Sequence, residues 1–152
     1  AAWYLPEEQQ IITKSQFTDR ICAALGGRAA EEVVFNEISS GAIDDLETVT
    51  KQAYSMVAFY GLDKKIVHLR FYDCTGENES LFGKSYSEFL GKRIDEEVMK
   101  LITSEYERAK TLLISHKLQL EELAKLLLKQ EVVDKEDLEC ILGKRLNNAV
   151  SV

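Results

Sequence analysis

Apolar residues recur at intervals of three and four along most of this chain, a spacing typical of amphipathic helices. One series follows Ser39, and its members are Leu46, Val49, Ala53, Met56, Val57 and Tyr60. A longer series follows Ser87, and its members are Leu90, Ile94, Val98, Leu101, Ile102, Tyr106, Ala109, Leu112 and Leu113. We therefore predict one helix over 39–60 and a long helix that ends near His116.

Start and stop signals predict shorter helices in the rest of the chain. Thr13 and Gln16 have the spacing of a capping box, so a helix is expected to begin after Thr13. Gly26-Gly27 should interrupt that helix, because glycine is a poor helix former. The remaining predicted helices are 28–35, 118–129 and a last one between the N-cap Asp134 and Gly143.

Two short stretches favour β-structure instead. The aromatic run 1–5 is stopped by Pro6, the only proline, and 66–72 is rich in β-branched and aromatic residues. The predicted fold class is therefore mainly α, with one or two short β strands. The length of 152 residues is that of a single domain over 1–152, large enough to bury a core.

Composition excludes several classes of function. The net charge is -7, and no dense Lys/Arg block is present, so nucleic-acid binding is disfavoured. Cys22, Cys74 and Cys140 form no CxxC pair, which favours reduced thiols over a disulfide framework. No run of about 18 apolar residues occurs, so we expect no membrane contact from this chain.

Candidate chemistry is concentrated in the turn before the 39–60 helix. Asp44 and Asp45 follow the small residues 40–42 and fall in or beside the first helical turn. Acids there commonly cap the helix and complement its dipole, but one of them could instead face a metal or a substrate. His68 and His116 belong to no Ser/His/Asp or Cys/His pattern, and the sequence contains neither His-Glu-x-x-His nor a glycine-rich phosphate loop.

Several ordered motifs resemble a known family. The run 25–35, Leu-Gly-Gly-Arg-Ala-Ala-Glu-Glu-Val-Val-Phe, looks like a signature of the FtsH-type ATP-dependent zinc metalloproteases. Further matching positions follow in the order and separation of the family. These are Ser40-Gly41-Ala42, Asp45-Leu46, Thr50, Ala53, Met56-Val57, Tyr60-Gly61, Ile94–Val98, Tyr106, Ala109 and Leu112-Leu113. The resemblance extends from about Ala1 to Gly143.

The resemblance implies a helical peptidase domain with a catalytic zinc. Two of its ligands are histidines of a His-Glu-x-x-His helix, and the third is an aspartate that matches Asp45. Such a site holds zinc with three protein ligands and one water. Asp44 falls on a variable position and is expected to cap the helix or support the ligand. Glu31 is the second candidate for a metal-linked carboxylate.

The resemblance also implies what this chain does not contain. The two histidine ligands, the general base, the ATPase module that binds ATP and the membrane segments precede the matching region in the family. We therefore expect an inactive, metal-free C-terminal fragment with no catalytic residue of its own. Its expected parts are an active-site half over 1–86 with Asp45, the long and C-terminal helices over 87–143, and a tail over 144–152.

The partners implied by the resemblance are polypeptide substrates and five further copies in a homo-hexamer. Ala2, Trp3 and Tyr4 match the end of an edge strand, to which an extended substrate could add by backbone hydrogen bonds. The parent enzyme would act at the cytoplasmic face of a bacterial inner membrane, or at an organelle membrane. The alternative is a helical scaffold or oligomerisation module without chemistry.

Overall fold

The computed structural model describes residues 12–62 and 87–144, and these ranges are mainly α-helical, as predicted. The helices are α1 (Lys14–Ala24), α2 (Gly26–Phe35), α3 (Ile43–Tyr54), α4 (Glu88–Ser115), α5 (Lys117–Gln130) and α6 (Lys135–Leu142). The two described ranges contain no strand, and both predicted strands, 1–5 and 66–72, lie outside them.

Local signals set the start of α1 and its separation from α2. The Thr13 Oγ1 accepts the Gln16 N–H at 3.4 Å, and the Gln16 Oε1 accepts the Thr13 N–H at 2.8 Å, which confirms the capping box. α1 ends at Ala24 and α2 begins at Gly26, so an interruption exists, but it lies at Leu25. The two glycines, predicted to form the break, are instead the first residues of α2. α2 ends where Asn36 adopts a left-handed conformation with φ of 53°.

The predicted 39–60 helix exists, but it contains three kinds of turn. A 3₁₀ turn over Ser40–Ala42 leads into α3, and a π-helical segment over Ser55–Phe59 follows it. The Tyr60 N–H donates to the Ser55 carbonyl at 2.9 Å, one residue further back than in an α-helix. Gly61, with φ of 60°, ends the segment as predicted.

The core lies where α1, α3, the π segment and α4 meet. Its side chains are Ile21, Leu25, Val49, Ala53, Val57, Ala58, Ile94 and Val98. α1 packs against α3, and α4 contributes Ile94 and Val98, as its apolar series predicts. Tyr60, the last member of the predicted α3 series, is instead 54% exposed. The extra residue in the π turn shifts it off the regular helical spacing.

The chain divides into two compact units, 1–110 and 111–152. In the second unit α5 packs against α6, and none of the described residues 111–144 is fully buried. Asp134 caps α6 through a capping box with Asp137, and Gly143 ends α6 with φ of 82°, both as predicted for Asp134 and Gly143. In the described ranges, no helix has the length and apolarity needed to cross a membrane. The single domain predicted over 1–152 stays a prediction.

Candidate functional site

Asp44 and Asp45 both lie in the first turn of α3, where the sequence predicts them. Both side chains are exposed, and no hydrogen bond or ion pair within the described ranges involves either carboxylate. The N-cap hydrogen bond is made by Ser39, which precedes the 3₁₀ turn, and not by an aspartate. The carboxylate oxygens of Asp45 are therefore available for an external ligand, beside helical N–H groups that favour negative charge.

Glu31 holds the turn that leads to these aspartates. Its Oε2 accepts the Ser39 N–H at 3.1 Å, and its Oε1 accepts the Ser39 hydroxyl at 2.8 Å. The Ser39 Oγ in turn accepts the Gly41 N–H at 3.1 Å. The hydroxyl and N–H of Ser39 hold the pKa of Glu31 below its usual range, so this carboxyl is ionised at neutral pH.

Glu32, the next residue of α2, attaches that helix to α4. It accepts hydrogen bonds from the Tyr106 hydroxyl and from the Lys110 Nζ, the latter at 2.8 Å. The Lys110 ammonium, followed by the Tyr106 hydroxyl, lowers the pKa of Glu32. Burial and the hydrogen bond to Glu32 raise the pKa of Tyr106, so it remains a neutral donor. These hydrogen bonds attach α2, and with it Glu31, to α4.

Arg108 makes a corresponding attachment between α1 and α4. Its guanidinium binds the Asp19 carboxylate at 2.6 Å and the Glu105 carboxylate at 3.0 Å. Glu105 is buried, which makes its ion pair with Arg108 a requirement of the packing. Burial raises the pKa of the neighbouring Cys22 thiol, so this cysteine is protonated and is unsuited to nucleophilic catalysis.

The described residues bring no complete metal site together. No group of three or more His, Cys, Asp or Glu side chains in 12–62 and 87–144 is arranged to hold an ion. An exposed, unengaged carboxylate at a helix start suits one zinc ligand, but a single carboxylate is only a third of a catalytic zinc site. Asp45 could therefore supply one ligand of a zinc site, and the described residues do not supply the other two.

The other predicted site residues lie apart from this turn or outside the described ranges. His116 follows α4, and its Nδ1 contacts the Leu112 carbonyl at 3.0 Å and the Ser115 Oγ at 2.9 Å. Ala2, Trp3, Tyr4 and His68 lie outside the described residues. Both carboxylate oxygens of Glu31 accept hydrogen bonds from Ser39, and its predicted link to a metal stays a prediction.

Comparison with known proteins places these motifs in context. A sequence model of Peptidase family M41 matches residues 1–141. The ATP-dependent zinc metalloprotease FtsH of Parabacteroides distasonis is 53% identical over 145 residues, which cover 95% of this chain and 21% of that protein. FtsH of Karelsulcia muelleri is 48% identical over 142 residues, or 93% of this chain and 23% of its own.

A eukaryotic relative shows the same partial coverage. The mitochondrial inner membrane m-AAA protease component AFG3L2 of Mus musculus is 42% identical over 144 residues, which cover 95% of this chain and 18% of that protein. The chain therefore spans about a fifth of the length of the relatives it matches.

Proposed function

The chain belongs to peptidase family M41, and we propose that it is part of a membrane-anchored, ATP-dependent zinc endopeptidase that degrades polypeptides. Relatives at 53% and 48% identity are named ATP-dependent zinc metalloproteases. The structural observation that supports the proposal most directly is Asp45, an exposed carboxylate with no partner among the described residues, in the first turn of α3.

Asp45 is the third protein ligand of the proposed zinc site. Two histidines of a His-Glu-x-x-His helix elsewhere in the enzyme supply the others, since the 152 residues contain no such motif. Bound zinc would polarise the scissile carbonyl and lower the pKa of a water to about 7. The part of this chain is to hold the Asp45 carboxylate in place at the start of α3. Asp44 remains a helix-start acid that favours the dipole.

The proposed whole enzyme has further parts that this chain does not provide. An ATPase module binds ATP, membrane segments anchor the protein, and six copies assemble into a ring. The working site is the cytoplasmic face of a bacterial inner membrane or an organelle membrane, as the name of the mouse relative indicates for that protein. Ala2, Trp3 and Tyr4 stay a predicted substrate edge, and the 152-residue chain alone is proposed to be inactive.

A helical scaffold or oligomerisation module is the second candidate function. The observation that favours it is the exposure of large apolar side chains in the second unit, with Leu118 at 80% and Leu128 at 87%. Such residues are costly to leave in water and are common at contacts between chains. The two functions differ in whether zinc binding depends on Asp45.

The experiment compares two adjacent aspartates in the full-length enzyme. Asp45→Asn is expected to weaken zinc binding and casein hydrolysis by more than about 100-fold, because a neutral amide is a poor zinc ligand. Asp44→Asn is the matched control and should stay within about threefold of wild type, since dipole effects are small. Zinc is measured by competition with a chromophoric chelator, and ATP hydrolysis should be unchanged in both variants. Equal effects of the two substitutions would contradict the assignment.

A further inference from the structure

We propose that Glu31 is a positioning residue for Asp45. The two hydrogen bonds that Glu31 accepts from Ser39 fix the start of the turn 40–42, and through it the position of Asp45 in the first turn of α3. This inference rests on the proposed role of Asp45 as a ligand. It assigns to Glu31 a function distinct from metal coordination, the role in which the sequence makes it a candidate.

The connection between α2 and α3 has little packing to hold it. The described side chains of 36–41 are all exposed, so burial of apolar surface does not fix this segment. Its hydrogen bonds to α2 are the Asn36 N–H to the Glu32 carbonyl, at the helix end, and the two from Ser39 to Glu31. The Glu31–Ser39 pair therefore fixes the far end of the connection, where the next helix starts.

Ser39 transmits that attachment to the ligand. Its Oγ donates to Glu31 and accepts the Gly41 N–H, so one hydroxyl joins the carboxylate to the first 3₁₀ turn. That turn continues without a break into α3, whose first turn carries Asp45. The turn is also tight, because a Cβ at Gly41 would lie 3.2 Å from the Ser39 Oγ. A shift of Ser39 would thus move the start of α3.

The anchor on the other side is firm. Glu32, beside Glu31 on α2, binds Tyr106 and Lys110 of α4. These bonds hold α2 in place, so a displacement of the 36–41 connection would break the Glu31–Ser39 hydrogen bonds rather than move α2. Ligand geometry matters within about 0.5 Å in metal sites, and loss of a supporting hydrogen bond commonly costs about 10–100-fold in metal affinity. Glu31 is placed to supply this kind of support.

The test uses zinc affinity in the full-length enzyme, measured by competition with a chromophoric chelator. Glu31→Gln keeps the shape of the side chain but replaces one of the two oxygens that accept hydrogen bonds from Ser39 by an NH2 donor. We expect about 10–100-fold weaker zinc binding. Ser39→Ala should weaken zinc binding in the same direction, because it removes the hydroxyl that both Glu31 and Gly41 use. Glu37→Gln, on the same exposed connection, is the matched control and should change the affinity less than about twofold.

Two further measurements separate positioning from other roles. The double variant Glu31→Gln/Ser39→Ala should bind zinc about as weakly as the weaker single variant, since both substitutions break one connection. Urea unfolding of the zinc-free protein identifies a purely structural role, in which stability falls while zinc affinity at low temperature stays unchanged. Such a result would overturn the proposal.

Four other outcomes would also overturn it. Zinc affinity of Glu31→Gln equal to that of Glu37→Gln would exclude a positioning role. Loss of zinc in Glu31→Gln but not in Ser39→Ala would indicate direct coordination by Glu31. If Asp45→Asn itself kept full zinc affinity, the proposed function would fail together with this inference. Loss of zinc in Asp45→Asn but not in Glu31→Gln would remove this inference alone.

Discussion

At the scale of single residues, Glu31 and Glu32 show how adjacent acids on a helix serve different partners. Successive residues of a helix point about 100° apart, since a turn contains about 3.6 residues. Glu31 accordingly meets Ser39 ahead of α3, and Glu32 meets Tyr106 and Lys110 of α4. The pKa of each carboxyl is lowered by these donors, so each interaction is strongest when the acid is ionised.

The lowered pKa of Glu32 predicts an acid-dependent loss of stability. A carboxyl whose pKa is lower in the folded than in the unfolded protein stabilises the fold at pH values above its usual pKa of 4.5. This stabilisation is lost as the pH falls through the folded-state pKa. Glu32→Gln should therefore show a flatter fall in the free energy of unfolding between about pH 6 and about pH 3 than wild type does. Urea unfolding across this range measures the slope.

The matched control for that measurement is Glu96→Gln on α4, an exposed glutamate with no hydrogen bond or ion pair among the described residues. It should leave the wild-type slope unchanged. If Glu32→Gln and Glu96→Gln gave the same pH dependence, the stabilising contribution of the Glu32 cluster would be disproved.

The sequence predicts the place of Asp45 but not its distinction from Asp44. Spacing puts both acids in the first turn of α3, and the structure confirms this placement for both. Only the family resemblance separates them, because a difference of one residue carries no periodic signal. The contact of Glu31 with Ser39 could not be predicted either, since it joins residues eight apart across the end of a helix and a left-handed Asn36.

At the scale of elements, burial explains why the helices were predictable. A helix that buries one stripe must repeat apolar residues at its own period, and Ile94 and Val98 of α4 follow that rule. The π segment that follows α3 departs from this period, because its hydrogen bonds join residues five apart instead of four. Its Met56, Val57 and Ala58 are three consecutive buried residues, a pattern that regular α-periodicity does not predict.

The two methionines of the chain test this account of the core. Met56, in the π segment, is fully buried, whereas Met99, on α4, is 68% exposed. Met56→Ala should reduce the free energy of unfolding by about 2–5 kcal/mol, because it removes packed atoms and leaves a cavity. Urea denaturation of the 152-residue chain measures the change.

Met99→Ala is the internal control, since it makes the same chemical change at an exposed helical position. It should alter the free energy of unfolding by no more than about 0.5 kcal/mol. Similar losses for both variants would mean that the π segment is not packed as described.

At the scale of the whole molecule, the two compact units differ in what holds them together. Unit 1–110 has a buried apolar cluster and side-chain links from α4 to α1, α2 and α3. The described part of unit 111–152 has no fully buried residue, although α5 and α6 pack against each other. Its helices are held mainly by local hydrogen bonds and partial burial.

This difference predicts unequal hydrogen exchange in the isolated 152-residue chain. Amides in the middle of α5 should exchange at least about tenfold faster than amides in the middle of α3, because local opening of α5 exposes little additional apolar surface. Exchange followed by mass spectrometry of peptides from each helix gives the comparison. Equal protection of α3 and α5 would contradict it.

The π segment has a further consequence for how the length of this chain can change. A π turn contains one residue more than an α turn. Removal of one residue from it can therefore leave a regular α-helical turn in its place. A deletion within Ser55–Phe59 can be absorbed if the segment returns to regular α-helix, with α3 before it undisturbed. A deletion inside α3 cannot be compensated in this way, because α3 has no extra residue to lose. It would rotate the first turn, with Asp45, by about 100° relative to the core. Single-residue deletions in this family should therefore be tolerated in the segment after α3 and excluded within α3.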